Sequence, residues 1–214
     1  EEERELTVML LIDVSGSLDF GTSGQLKREC ATEIAATLAF SAIQNNDKIG
    51  VIFFSDHIEK YIAPKKGRKH ILYLIREMLT FTPNSKRTDV GISLEYLNKG
   101  MKRRCTAFVI SDFYTRKDFS QELRIANKKH DIVAIQVYDP RAKEMPDVGL
   151  MKVVDAETGH EMYIDTHDAR LRKVHNKYWE EREIRLHEML TQSHVDSVAI
   201  ATDDDYVKML MTLF

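Results

Sequence analysis

At 214 residues, with 43% hydrophobic and 30% charged side chains, the chain has an ordinary globular balance and the length to bury most of its apolar surface. A formal net charge of −3 argues against a general nucleic-acid binder, and no apolar run approaches the ~20 residues that a membrane span needs. Two cysteines, Cys30 and Cys105, are too few for a disulfide framework and read as reduced, buried thiols of a cytoplasmic protein.

The chain opens on Glu1-Glu2-Glu3-Arg4-Glu5, without an initiator Met, and reads as a piece of a longer protein. Leu6 to Ile12 is apolar almost without a break, as in a strand buried on both faces. Asp13-Val14-Ser15-Gly16-Ser17 follows. Alternate side chains of an extended segment point the same way, so Asp13, Ser15 and Ser17 bring one carboxylate and two hydroxyls toward one point. These are hard oxygen donors at a strand's carboxyl end, suited to a hard divalent cation such as Mg²⁺. Gly16, Gly21 and Gly24 let the backbone turn before a helix predicted from about Gln25 to Gln44. Leu26, Cys30, Ile34, Leu38 and Ala42 form its sheet-facing stripe.

Lys48 to Phe54 reads as a second buried strand. Ile58 to Ala63 reads as an edge strand closed by Pro64, and the basic run Lys65 to Lys69 as charges guarding that edge. His70 to Leu79 is a short helix with Ile71, Leu74, Ile75 and Met78 on one face. The loop Thr82 to Arg87 delivers Thr88 and Asp89 to the start of another helix, where Thr88 is a candidate N-cap. Thr106 to Ser111 is a third buried strand, ending in Asp112. Phe119 to Lys129 is helical, and Ile132 to Tyr138 a strand. Leu150 to Val154, the turn Glu157-Thr158-Gly159 and Glu161 to Ile164 then read as a small hairpin. A long helix spans Asp168 to Leu190. Its apolar positions, Leu171, Val174, Tyr178, Trp179 and Leu186 among them, read mostly as core packing. Val195 to Ala201 is the last strand, and Asp203 to Phe214 the last helix, capped by Thr202 or Asp203. No repeat, low-complexity tract or linker interrupts the pattern, so residues 1–214 are expected to form one domain.

Strands alternating with helices imply an α/β fold with a mostly parallel sheet covered on both faces, and ligands collect beyond the carboxyl ends of such strands at the switch point of strand order. Asp13 to Ser17, Thr88 and Asp112 all fall on that rim. Asp19 and Asp56 read as loop and turn aspartates, and Asp203-Asp204-Asp205 as carboxylates favoured at a helix start. An EF-hand is excluded, because Leu18 stands where the loop glycine belongs and no twelfth-position Glu follows. The histidines have no zinc-ligand spacing: His187-Glu188-Met189-Leu190-Thr191 lacks the second histidine of a zinc-protease helix.

The set Asp13, Ser15, Ser17, Thr88 and Asp112 resembles the metal-ion-dependent adhesion site of von Willebrand factor A-type domains. More closely, Leu11 to Gly21, Gly50 to Asp56, Val109 to Phe113 and Pro146 to Leu150 resemble the bacterial "domain of unknown function 58" family, whose members contain such a core. The likeness covers essentially the whole chain. It implies a Rossmann-like von Willebrand factor A fold with one antiparallel edge strand and a small inserted hairpin. It also implies hydroxyl ligands from Ser15, Ser17 and Thr88, and carboxylates from Asp13 and Asp112 bound directly or through water. The cofactor would be Mg²⁺, with Mn²⁺ or Ca²⁺ as alternatives, and an Asp or Glu from a protein partner would complete the octahedron. Leu18, Asp19, Arg87, Asp89 and Phe113 would form the rim that this partner meets. Family members are often encoded beside MoxR-type AAA+ ATPases, which implies an adaptor or chaperone-like role. Arg87 departs from the family, where glycine often precedes the threonine, and the region that usually precedes the core does not show in this sequence. The expected function is metal-dependent protein binding, without catalysis. Two alternatives stay open: a Mg²⁺-dependent phosphohydrolase, although Ser15 stands where its second aspartate is needed, and a structural subunit with an unused metal site.

Overall fold

The first apolar run becomes the middle of the molecule because its alternating side chains serve two cores at once. The computed structural model describes residues 6–21, 25–155 and 158–211. Strand β1 (Thr7–Asp13) sends Val8, Leu10 and Ile12 into one core and Met9 and Leu11 into the other. It lies in parallel between β2 (Lys48–Phe54) and β4 (Thr106–Ser111). Strand β3 (Ile58–Lys65) runs antiparallel along β2 at one edge, and β5 (Asp131–Tyr138) and β8 (Asp196–Ala201) continue in parallel beyond β4. The sheet order is therefore β3-β2-β1-β4-β5-β8.

Helices α1 (Lys27–Gln44), α2 (Arg68–Thr80) and α7 (Tyr206–Leu210) cover the Leu10 face. Helices α3 (Val90–Gly100), α4 (Ser120–Lys129) and the end of α6 (Ala169–Gln192) cover the Leu11 face. A single turn, α5 (Pro140–Lys143), follows β5, started by Pro140 and by the Asp139 carboxylate, which accepts from the Arg141 N–H. Strands β6 (Leu150–Val154) and β7 (Glu161–Asp165) form a separate antiparallel pair. This is the mostly parallel, doubly covered von Willebrand factor A-like architecture, with one antiparallel edge and a small hairpin, that the sequence implies.

Several boundaries differ for physical reasons. Leu26 is the N-cap of α1 rather than a member of its stripe, is 37% exposed, and donates its N–H to Glu29. Pro64 does not close β3, because a proline costs no ladder bond on the free side of an edge strand. Core packing accounts only for the end of α6. Among its described residues only Leu190 is fully buried, while Val174 is 67% exposed. Helix α7 starts at Tyr206 and is capped by Asp205, not by Thr202 or Asp203. Gly24, Glu157 and residues 212–214 of the expected last helix lie outside the described residues. No helix among the described residues is long and apolar enough to cross a membrane.

Gly50 sits where the β2–β3 register shifts, and here glycine is a packing requirement. A Cβ would stand 2.7 Å from the Ile62 carbonyl oxygen, 2.8 Å from the Pro64 nitrogen and 2.9 Å from the Met9 sulfur. Gly50→Ala is expected to lower the unfolding free energy by about 1–3 kcal/mol, measured as a lower urea midpoint at unchanged slope.

Candidate metal centre

Asp13 and Asp112 meet because the chain builds outward from β1 to β2 and β3, then returns to the opposite side of β1 with β4. That reversal opens a crevice at the carboxyl ends of β1 and β4. Asp13 closes β1 at 1% exposure, its Oδ1 accepting the Ser15 N–H at 2.8 Å and its Oδ2 the Ser111 hydroxyl at 2.6 Å. Burial raises its carboxyl to about 6 and the neighbouring Asp112 charge adds to the rise, while the bonds from Ser111 and Ser15 hold it back. The carboxyl titrates higher in the fold than in the unfolded chain. Its contribution to stability is therefore full at acid pH and is lost as pH rises through about 6.

The hydroxyls form a line across the crevice. Thr88 Oγ1 donates to Ser15 Oγ at 2.7 Å, Ser15 and Ser17 lie 3.0 Å apart, and Ser17 Oγ donates to Asp112 Oδ1 at 3.2 Å. Since the one proton of Ser17 goes to Asp112, Ser15 is the donor between the two serines. The loop bearing Thr88 is pinned at both ends, by Gly16 N–H on the Lys86 carbonyl at 3.0 Å and by Asp89 N–H on the Ser55 carbonyl at 2.9 Å. Glu59 holds the start of that loop, accepting the backbone N–H groups of Asn84 and Ser85 at 3.0 and 3.1 Å. Asp89, not Thr88, caps α3, which leaves the Thr88 hydroxyl to face Ser15.

Of the expected rim, Leu18 and Phe113 are corrections. Both are fully buried, because the short 3-10 turn Gly16–Asp19 folds Leu18 inward and Phe113 packs against Phe119 in the second core. Asp89 is also nearly buried, its second oxygen held by Lys117 at 2.5 Å. Asp19 is exposed and pairs with Arg28 at 2.9 Å rather than with its own backbone, and Arg87 is exposed.

The residue that sequence reasoning missed is Lys27. Its Nζ lies 2.6 Å from Asp112 Oδ2, with both side chains 6% exposed. The available signal was spacing: Lys27 precedes Cys30, Ala31 and Ile34 by three, four and seven positions and so shares their buried face. Two further supports surround Asp112. Tyr114 N–H donates to its Oδ1 at 2.9 Å, and Phe113 turns through a left-handed backbone at φ 52°. A bulky residue there stores strain, held by Ser111 Oγ on its N–H and by Arg182 on its carbonyl.

Among the described residues, no three or more His, Cys, Asp or Glu side chains gather as a metal cluster. The donor set here is of another kind, two carboxylates with three hydroxyls. Neighbouring ligands of an octahedral Mg²⁺ stand about 2.9 Å apart, given metal–oxygen distances of about 2.0–2.1 Å. The observed 2.7 to 3.2 Å separations are those of hydrogen bonds, and they overlap the spacing within such a shell.

A family model described as "Protein of unknown function DUF58" matches residues 1–184. Uncharacterized proteins of Mycobacterium bovis and Mycobacterium tuberculosis are 33% identical over 159 residues, which is 73% of this chain and 50% of theirs. The chain thus spans about half the length of the curated relatives it matches. Among solved structures, the conserved hypothetical protein BatB of Bacteroides thetaiotaomicron aligns with TM-score 0.65 at 15% identity, covering 97% of this chain and 96% of its own. An aerotolerance-related membrane protein of Bacteroides fragilis aligns with TM-score 0.65 at 14% identity, covering 97% and 98%. Proximal thread matrix protein 1 of the mussel byssus, in a structure described as having a zinc-occupied MIDAS motif, aligns with TM-score 0.50 at 15% identity over 62% of this chain and 38% of its own. At these identities the likeness is one of fold.

Lys27→Met leaves Asp112 buried without its ammonium. Removing one partner of a buried pair costs about 3–5 kcal/mol, so the variant is expected to melt well below wild type in EDTA, with Lys27→Arg nearer to wild type.

Proposed function

The chain belongs to the DUF58 family, and from that premise we propose that it is a protein-interaction module whose contact with its partner runs through a divalent cation. Asp13, Ser15, Ser17, Thr88 and Asp112 would hold the ion, Mg²⁺ with Mn²⁺ or Ca²⁺ as alternatives. The observation that carries this reading is the line of oxygens from Thr88 through Ser15 and Ser17 to Asp112, assembled from three distant segments at ligand-like spacing. The mussel protein, which shares the fold, is described with zinc at a MIDAS motif; the hydroxyl-rich donors of this chain favour a harder ion.

Two carboxylates balance a divalent charge, and neutral hydroxyls add none, so the bound ion would keep an electrostatic appetite for one more carboxylate. That carboxylate is assigned to an Asp or Glu of a protein partner. A MoxR-type AAA+ ATPase is the partner class that the family resemblance implies. The cytoplasm is the compartment that two buried, unpaired thiols fit. We assign no reaction. Both Asp13 oxygens are engaged by Ser15 and Ser111, and those of Asp112 by Ser17, Tyr114 and Lys27, which fits carboxylates held in place as ligands.

A second reading has one observation in its favour. Lys27 at 2.6 Å from Asp112 lets the cluster satisfy itself without any ion, as in a structural subunit with an unused site. Thermal melting separates the two. Mg²⁺ at about 100 times its dissociation constant is expected to stabilise the wild type by about 2.7 kcal/mol. Asp13→Ala and Thr88→Ala are expected to keep a native circular-dichroism spectrum and lose that increment. A melting temperature unmoved by Mg²⁺, Mn²⁺ or Ca²⁺ would remove the metal reading and leave the self-satisfied one.

A further inference from the structure

Immediately beside the candidate centre the surface turns basic. The loop from Phe113 to Ser120 and the second half of α6 enclose a groove of about 750 Å³. Its apolar floor is offered by the half-buried Leu186 and Met189, with Phe113 and Phe119 buried beneath. Its walls carry Arg116, Lys117, Arg124, Arg182 and Arg185, against the carboxylates of Asp118 and Glu188. Five cations face two anions, a local positive excess on a chain whose formal net charge is −3.

Among the described residues, the cations without an ion-pair partner are the arginines. Asp118 is turned back on the start of α4, accepting the Ser120 N–H at 2.9 Å and its hydroxyl at 3.2 Å. Lys117 is shared with Asp89, but among the described residues no carboxylate forms an ion pair with Arg116, Arg182 or Arg185. Arg182 is set in place, its guanidinium 4.4 Å from the Tyr114 ring centre and 5.0 Å from that of Trp179 while it donates to the Phe113 carbonyl. The groove also joins the centre without a gap in the chain. Phe113 follows Asp112, and Thr115 donates to the Thr88 carbonyl at 3.2 Å.

We propose that this groove receives an extended acidic segment of the protein partner, with its leading carboxylate at the metal centre and later ones along Arg116, Arg182 and Arg185. The proposal rests on the metal reading above and adds the chemistry of the partner to it. Guanidinium forks pair carboxylates bidentately, and an apolar floor accepts the hydrophobic side chains between them. A nucleic acid fits less well, since two carboxylates line the walls and the chain as a whole is acidic.

The test is the fluorescence anisotropy of a fluorescein-labelled oligoglutamate peptide titrated with the protein, in Mg²⁺ and in EDTA. Wild type is expected to bind, more tightly in Mg²⁺. The double variant Arg116→Glu/Arg185→Glu changes two exposed side chains and is expected to weaken binding by roughly tenfold or more in both buffers. Asp13→Ala is expected to lose the Mg²⁺ increment and keep a salt-sensitive remainder. Mg²⁺-dependent binding that ignores the charge reversals overturns the groove and spares the centre. Binding that the reversals abolish but EDTA leaves unchanged overturns the metal anchor and supports the groove. No binding of the peptide, or equal binding of a single-stranded oligothymidylate of matched length, overturns the acidic-segment assignment.

Discussion

Asp13 and Asp112 carry like charge at the ends of adjacent strands, and burial leaves little water to screen one from the other. Their exposures are 1% and 5%. In so low a dielectric, repulsion that water would reduce to about 1 kcal/mol becomes several times larger. The protein's answer is to surround both with donors. Asp13 takes a hydroxyl from Ser111 and an amide from Ser15, and Asp112 takes a hydroxyl from Ser17, an amide from Tyr114 and the ammonium of Lys27. The Asp13 carboxyl is still pushed up to about 6, first by burial and then by the Asp112 charge, against the bonds from Ser111 and Ser15. What remains is a site with a standing demand for positive charge.

Meeting that demand shapes parts of the chain that touch no carboxylate. Phe113 adopts its left-handed backbone so that the chain can leave β4 with Asp112 facing β1 while its own ring packs inward. The strain is held from outside by Arg182 of α6. This gives a reason for a long helix that buries so little. Helix α6 is tied to the sheet by polar contacts, with Gln136 of β5 donating to Glu183 at 2.8 Å and Lys143 of α5 pairing with the same carboxylate at 3.1 Å. It acts as a brace for the segment beyond β4, and its solvent-facing apolar residues are what remains when a helix is positioned by charge rather than by a core.

The sheet was legible because its signal is local. Short, nearly unbroken apolar runs end in Asp13, Ser111 and Tyr138, and each became a strand at nearly those bounds. The five polar residues of the rim were legible because strand ends and helix starts at a switch point converge whatever lies between them. Lys27 was not, because a lysine in a helix's first turn looks solvated until the stripe it shares with Cys30 and Ile34 is counted from its own position. Leu18 and Phe113 were misplaced because nearness in sequence to a rim says nothing of which way a side chain turns, and Phe113 lacks the glycine that would have advertised its backbone. The basic groove was out of reach altogether. Arg116 and Arg185 come together only through the packing of α6 against the α4 side, which no periodicity encodes.

Lys27 also bears on how the proposed centre could release and regain an ion. A site of buried carboxylates emptied of its cation would ordinarily relax, spreading the charges or admitting water, and a returning ion would have to reorder it. Here a tethered ammonium bonds one oxygen of Asp112 and Ser17 the other, which ties that carboxylate to the line of hydroxyls. The same ammonium would oppose a bound ion electrostatically and so weaken its binding. Divalent ion and lysine would then compete for the aspartates, while a partner carboxylate would side with the ion. In that arrangement an acidic partner contributes to holding the ion as much as the ion contributes to holding the partner, since each neutralises what the other leaves uncompensated.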